Sequence, residues 1–362
     1  MNKHIEPNKS VTVCKIESIK LGIDLHAATA MVVAQFDHAV PKPAQRIDTE
    51  KLLTWVAALK AKHPGASVHA CYEAGPCGFW LYRELVALGV DCHVVAPVAL
   101  NGRRKTDQRD ARALCDQLDR YTRGNTEAFS KVHVPSAVQE DQRALLRHRR
   151  KLVGEITRCS AAGRSAFLRL GQRVRGSWWL SSRWSELAEK LPNHTRFGLG
   201  QLRAQIELLR AQLRETDQQV AALAERHRIS APRGVGVLTW LTLMLEVVDW
   251  TRFKNRRQVA SYTGLCPGEH TSGDNKRELS IDKHGNPRVR HLLIEAAWRL
   301  LRWQPQYPPL QKLLAANGGR GRKRMIVAVA RRLAIDVWRL ATGQTTPEKI
   351  GLAATDTGLM PA

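Results

Sequence analysis

Ser18-Ile-Lys-Leu-Gly-Ile-Asp-Leu-His-Ala-Ala-Thr-Ala-Met-Val-Val-Ala-Gln-Phe36 is the stretch on which the fold class turns. Ile19, Leu21 and Ile23 alternate with Lys20, Gly22 and Asp24, the period of two that gives a strand one apolar face. His26 to Ala28 make a short turn, and Met31 to Phe36 form a second apolar strand. Beyond this pair the period changes repeatedly. Thr49 to Ala61 has helical spacing through Leu52, Val56 and Leu59, and Ser67 to Tyr72 is a short strand running into Glu73. Gly78 to Leu88 is a helix after a Gly-Pro-Cys-Gly turn, Asp91 to Ala96 a strand stopped by Pro97, and Thr106 to Tyr121 a helix. Strands alternating with helices predict an α/β domain over residues 1–130.

The middle, 131–228, reads differently. Leu145, Leu152, Ile156, Cys159, Ala166 and Leu170 fall on one helical stripe. A less regular stretch carries Trp178, Trp179 and Trp184. Then Leu202, Ile206, Leu209, Leu213, Val220 and Leu223 repeat in steps of four and three, with Thr216 in the one polar slot. This is a heptad seam and predicts a long helical hairpin or coiled coil, closed within the chain or serving as a dimerisation arm. Residues 229–345 read as a second, mainly α-helical domain, and 346–362 as a flexible tail.

Composition narrows the function. Lys and Arg total 57 against 33 Asp and Glu, a net charge of +24 that attracts polyanions, nucleic acid first. Seven cysteines without a CxxC pair support neither a disulfide framework nor a zinc ribbon. The N-terminus lacks an apolar signal core, and the longest apolar run, Val237 to Val248, is too short to span a bilayer. A cytoplasmic chain with no membrane partner is expected.

Four carboxylates stand out. Asp24 closes the first strand, Glu73 another, and Asp107 and Asp110 lie three apart on one helical face. In a ribonuclease-H type of fold the first strand is central, neighbouring strand ends point at one patch, and a later helix can complete it. Four acids in one place repel unless cations sit between them, and hard oxygen donors select Mg²⁺, with Mn²⁺ as an alternative. Two such ions would stabilise attacking and leaving oxygens at a phosphodiester. Each acid alone also has a plain reading, as a turn former or a helix-start residue beside the Thr106 N-cap.

Further on, Ala231-Pro-Arg-Gly-Val-Gly236 is either a phosphate-approach turn or a tight turn for helix packing. Tyr262-Thr-Gly-Leu-Cys-Pro267 is followed by Ser272-Gly273 and by Lys283-His-Gly-Asn-Pro-Arg-Val-Arg290. Lys283, Asn286, Arg288 and Arg290 are candidate phosphate ligands, as are Arg320, Arg322, Lys323 and Arg324 in a Gly-rich basic run. Trp298, Trp303 and Trp338 are spaced to be core, while exposed aromatics could stack bases.

The order Gly22-Ile-Asp24, Tyr72-Glu73, Thr106-Asp-Gln-Arg-Asp-Ala111, with the C-terminal pattern, resembles the DEDD-type insertion-sequence transposases related to the Piv DNA invertase. The resemblance covers both ends of the chain and, in the middle, helical character only. It implies an RNase H-like, RuvC-like N-terminal domain and a separate transposase domain. It implies that Asp24, Glu73, Asp107 and Asp110 are metal ligands and that Ser272, on a loop, is the nucleophile. Ser261, in a helical run, is a competitor read as a packing residue. It further implies DNA as substrate, a structured noncoding guide RNA encoded by the element, and a homo-oligomer, dimer or tetramer. His26 departs from the small or basic residue expected after the first Asp. The alternatives are a stand-alone junction-resolving nuclease using water, and a non-catalytic nucleic-acid-binding protein. A sugar-kinase-like ATPase would need a Gly-rich phosphate loop after the first strand, which is absent.

Overall fold

Pro135 opens a second compact unit: the chain divides into Met1–Val134 and Pro135–Ala362. The computed structural model describes residues 15–97, 106–227, 231–272, 275–315 and 321–353, without the side chains of 269–272, 275–279, 313 and 314.

In the first unit β1 (Ser18–Leu25), β2 (Thr29–Phe36), β3 (Gln45–Asp48), β4 (Ser67–Glu73) and β5 (Asp91–Val95) form one sheet in the order β3-β2-β1-β4-β5. β1 is central, antiparallel to β2 and parallel to β4. β2 pairs antiparallel with β3, and β4 parallel with β5. Three helices cover it: α1 (Thr49–Lys62), α2 (Trp80–Ala87) and α3 (Asp107–Thr122). The mixed α/β character expected from the alternation is present. β3 is an addition that the sequence reading lacked.

The two faces of β1 have different work, as the pleat requires. Ile19, Leu21 and Ile23 are fully buried in a core with Leu52 and Val56 of α1 and Leu81 and Leu85 of α2. The other face, Lys20, Gly22 and Asp24, meets α3 in three rungs. Lys20, 2% exposed, donates to the Asp37 carbonyl and pairs with Asp119 of α3 at 3.0 Å. Burial alone would raise the Asp119 carboxyl, but Lys20 and Arg123 hold it below the usual carboxylate range. At the second rung a Cβ on Gly22 would lie 2.3 Å from the Ala111 carbonyl oxygen and 2.4 Å from the Cys115 nitrogen. Only glycine lets the helix backbone rest on the strand there. The third rung is Asp24.

In the second unit α4 (Ala137–Arg169) starts at a capping box: Ser136 Oγ accepts from Gln139 N and Gln139 Oε1 from Ser136 N. After α5 (Ser181–Ala188), α6 (Asn193–Arg226) runs back along α4, as the pairs Gln142–His227, Arg149–Asp217 and Cys159–Gln205 show. The heptad positions Ile206, Thr216, Val220 and Leu223 are the buried ones. Trp178 is wholly buried and fills the space left by Gly163, where a Cβ would lie 2.1 Å from its ring; its indole donates to the Ser160 carbonyl at 3.1 Å.

Then follow α7 (Val237–Val247), α8 (Arg256–Thr263), the antiparallel hairpin β6 (Pro267–Ser272) and β7 (Asn275–Ile281), α9 (Pro287–Trp303), α10 (Pro308–Ala315), α11 (Arg322–Ala341) and α12 (Pro347–Ile350). A core of Trp240, Leu293, Leu300, Leu333 and Val337 joins α7, α9 and α11. Gly234 and Gly236 both have positive φ, and a Cβ on Gly234 would lie 3.0 Å from Trp303 Cβ, so this turn serves close packing. Of the three tryptophans expected in the core only Trp338 is buried. Trp298 and Trp303 are 36% and 44% exposed, and carry the guanidinium groups of Arg322 and Arg233 on their faces.

Among the described residues six cysteines are free, and no helix is long and apolar enough to cross a membrane.

Candidate functional site

Among the described residues, the carboxyl end of β1 carries a cluster of three donor groups spaced to share a metal ion. Asp24 faces the α3 side of the sheet, the side taken by Lys20 and Gly22. α3 begins opposite it. Asp107 is its first residue, and the amides of Arg109 and Asp110 both close on the Thr106 carbonyl. Thr106 is the N-cap by backbone conformation, without a side-chain capping bond. The helix start favours acids in its first turn, and Asp110, one turn on, is buried at 7% exposure. Burial pushes the Asp24 carboxyl up; His26 pulls it down, while Asp107 and Asp110 add to the rise by repulsion. Asp24 thus feels both helix carboxylates, while the set of donor atoms spaced to share an ion takes in Asp24, His26 and Asp107 and leaves out Asp110 and Glu73.

Glu73 arrives from the next strand. Ile23 pairs with Tyr72 in parallel register, so Asp24 and Glu73 are the following residues on adjacent strands. Cys71, two residues earlier on β4, donates its thiol to the Leu114 carbonyl of α3. Alternation puts Glu73 on that same face.

His26 is the member that sequence reasoning passed over as a local departure. Its Nε2 lies 3.4 Å from Asp24 Oδ2 and 3.7 Å from Asp107 Oδ1. One donor atom each from Asp24, His26 and Asp107 lie within 4.8 Å of one another. These separations are long for hydrogen bonds. They suit donors flanking a cation, since two ligands at right angles about 2.1 Å from an ion stand about 3 Å apart and opposed ligands about 4.2 Å. The main chain of His26 is fixed at both ends: His26 N donates to Thr29 O at 3.0 Å, and Thr49 Oγ1 to His26 O at 3.0 Å. The available signal was an imidazole two residues from the first acid, at a strand-ending turn. The carboxylates fit a hard divalent cation such as Mg²⁺ or Mn²⁺, and an imidazole among the donors favours a transition-metal ion over Mg²⁺.

The other predicted residues lie in the second unit. Ser272 is the last residue of β6, its backbone paired with Asn275 across the hairpin, rather than on a free loop. Ser261 is exposed on α8, which corrects its reading as a packing residue. Asn286 is the N-cap of α9: its carbonyl oxygen accepts from Arg288 N and Val289 N, and its amide donates to Glu246 Oε2 at 3.0 Å and to Tyr262 Oη at 3.2 Å. Both ends of its side chain are thus engaged inside the unit. Arg290 Nη1 donates to the carbonyls of Thr263 and Lys283 and stitches the preceding turn. Lys283, Arg322, Lys323 and Arg324 are exposed, and Arg288 half-exposed. Arg320 lies outside the described residues.

Comparison with known proteins agrees across both units. A DEDD-type transposase family model matches residues 21–170, and a second, described as "Transposase IS116/IS110/IS902 family", matches residues 226–310. A Sinorhizobium fredii chain named as transposase y4rJ is 33% identical over 299 residues, 74% of this chain and 75% of the relative. The transposase for insertion sequence element IS1111A of Coxiella burnetii is 27% identical over 83% of this chain and 84% of its own length. The transposase for insertion sequence element IS1533 of Leptospira borgpetersenii is 25% identical over 88% and 94%.

Proposed function

We propose that this chain, which belongs to the IS116/IS110/IS902 transposase family and recombines DNA, does so through a divalent-metal site held by Asp24, Glu73, Asp107 and Asp110, with His26 as a nitrogen donor beside them. The observation that carries the reading is the donor cluster at the carboxyl end of β1, assembled from a strand, a turn and a helix start. The sheet order, with an antiparallel β3-β2-β1 half followed by parallel β4 and β5, supports an RNase H-like, RuvC-like domain. Bound Mg²⁺, or Mn²⁺, would polarise a phosphodiester and stabilise charge on its oxygens.

The chain's own groups divide the remaining work. Buried Asp110 and half-buried Asp24 keep the negative field concentrated where a cation binds, and exposed Asp107 and His26 leave an open side for a DNA phosphate. Ser272 is the nucleophile: its oxygen forms a bond to phosphorus as the DNA P–O bond breaks, so the phosphodiester energy is conserved for rejoining. Lys283, Arg288, Arg322, Lys323 and Arg324 hold phosphates, with the rest of the +24 surplus behind them. A structured noncoding RNA supplies target choice, recognised by shape and backbone. Residues 131–228, with the paired α4 and α6, serve as a coiled-coil linker in sequence between domains 1–130 and 229–345, and the chain works as a homo-oligomer.

The test is a strand-transfer assay with purified protein, element-end DNA and the element's transcript, run with Mg²⁺, with Mn²⁺ and with EDTA. Cleaved and joined products are expected with either ion. The same products in EDTA would overturn the metal reading.

A further inference from the structure

A second charged site lies far along the sequence from the carboxylates, where α4, α7 and α9 meet. There a cavity of about 170 Å³ is lined by Arg147, Arg149, Arg150, Arg288, His291 and Glu246, besides apolar side chains. Its negative charge is already engaged. Glu246, 7% exposed, faces Arg147 Nη2 at 3.5 Å with one oxygen and accepts from the Asn286 amide with the other. Arg149 is paired with Asp217 at 2.6 Å. Among the described residues the side chains of Arg150 and Arg288 have no hydrogen bond or ion pair. Burial holds the Arg288 guanidinium below its ordinary range, and Arg147 and Arg150 push it lower by repulsion, with Glu246 opposing them. Like charges gathered in a concavity with one shared counter-ion make a site short of an anion.

We propose that this cavity is a phosphate seat that takes one phosphodiester group of a nucleic-acid strand between Arg150 of α4 and Arg288 of α9. Two guanidinium forks from different helices match the oxygens of a phosphate, which a single lysine would meet only as a point charge. The cavity has the volume of several waters at about 30 Å³ each, room for a phosphate and its hydration. Glu246 sets the geometry: it holds Arg147 on one side and, through Asn286, the start of α9 from which Arg288 projects. Tyr262 Oη donates to the Glu246 carbonyl at 2.8 Å, and Arg143 donates to the carbonyls of Leu245 and Glu246, which fixes the end of α7 beneath the seat. The seat rests on the reading that this chain handles nucleic acid, but not on the metal site or on Ser272.

The experiment is fluorescence anisotropy of the full chain with a labelled oligonucleotide as single-stranded DNA, as RNA of the same sequence, and as duplex DNA, across a salt series. Wild type is compared with Arg150→Gln, with the Arg150→Gln/Arg288→Gln pair, and with Arg158→Gln, an exposed α4 arginine outside the cavity whose partner is Glu155. The double variant is expected to bind about tenfold more weakly, with its slope of log affinity against log salt reduced by about 0.7 to 0.9, one phosphate contact. Arg158→Gln keeps the wild-type slope. Equal losses on all three ligands assign the seat to the backbone alone; a loss on one assigns it to that polymer. An unchanged slope in the double variant, or an equal loss in Arg158→Gln, overturns the seat. If Arg288→Gln melts early, Arg150→Gln carries the same readout from an exposed position. Wild type that binds none of the three ligands would sink the proposed function as well, so the two failures differ.

Discussion

Asp24→Asn is expected to reduce DNA strand cleavage by about three orders of magnitude, equivalent to about 4 kcal/mol of transition-state stabilisation, with nucleic-acid binding retained. The amide keeps the shape of the carboxylate and removes its charge from the centre of the donor cluster. Folding is not expected to suffer. The Asp24 carboxyl is raised by burial and by Asp107 and Asp110, so the folded chain holds this proton more tightly than the unfolded chain. The destabilisation from ionising it grows as pH rises through the interval between the two pKa values, and is complete at neutral pH. A neutral Asn removes that cost. The melting temperature of the metal-free variant should therefore equal or exceed that of the wild type at neutral pH. The rise that Mg²⁺ or Mn²⁺ gives the wild type should shrink. Wild-type cleavage by Asp24→Asn would remove the carboxylates from the chemistry.

Ser272→Ala is expected to abolish the covalent protein–DNA adduct and lower strand exchange by at least about a thousandfold, as loss of a nucleophile does. Ser261→Ala should retain both. Ser261 is exposed on α8, so burial does not remove it from consideration and activity decides. The measurement is capture of labelled DNA on denatured protein, with joining read in parallel. Full cleavage by Ser272→Ala would instead favour water as the nucleophile and a junction-resolving nuclease.

Alternation in Ser18–Phe36 and helical spacing in Thr49–Ala61 were legible because burial writes itself into apolar periodicity. The acids were legible as an ordered set. Five features were not. β3 has four residues, none buried, and is held by main-chain pairing to β2, which leaves no apolar pattern. The hairpin of β6 and β7 is built from Pro-Gly-Glu-His-Thr-Ser and Asn-Lys-Arg-Glu-Leu-Ser-Ile, so a charged, turn-rich stretch read as a loop. Gly22 appeared as one residue of a motif. Its physical role is contact, since the missing side chain sets how closely α3 approaches β1 and hence where Asp107 and Asp110 stand relative to Asp24. His26 was hidden for a related reason: its neighbours Asp24 and Asp107 are one near and one distant in sequence, and only the docked helix brings them together. Trp298 and Trp303 had core spacing, but spacing alone does not say which flank of a helix is covered.

The most direct test of the metal centre is anomalous diffraction from crystals of the wild-type chain soaked in Mn²⁺. An anomalous peak is expected between Asp24, His26 and Asp107, within ligand distance of all three, and is expected to disappear in Asp24→Asn. Manganese bound only elsewhere, with these side chains uncoordinated at saturating ion, would contradict it.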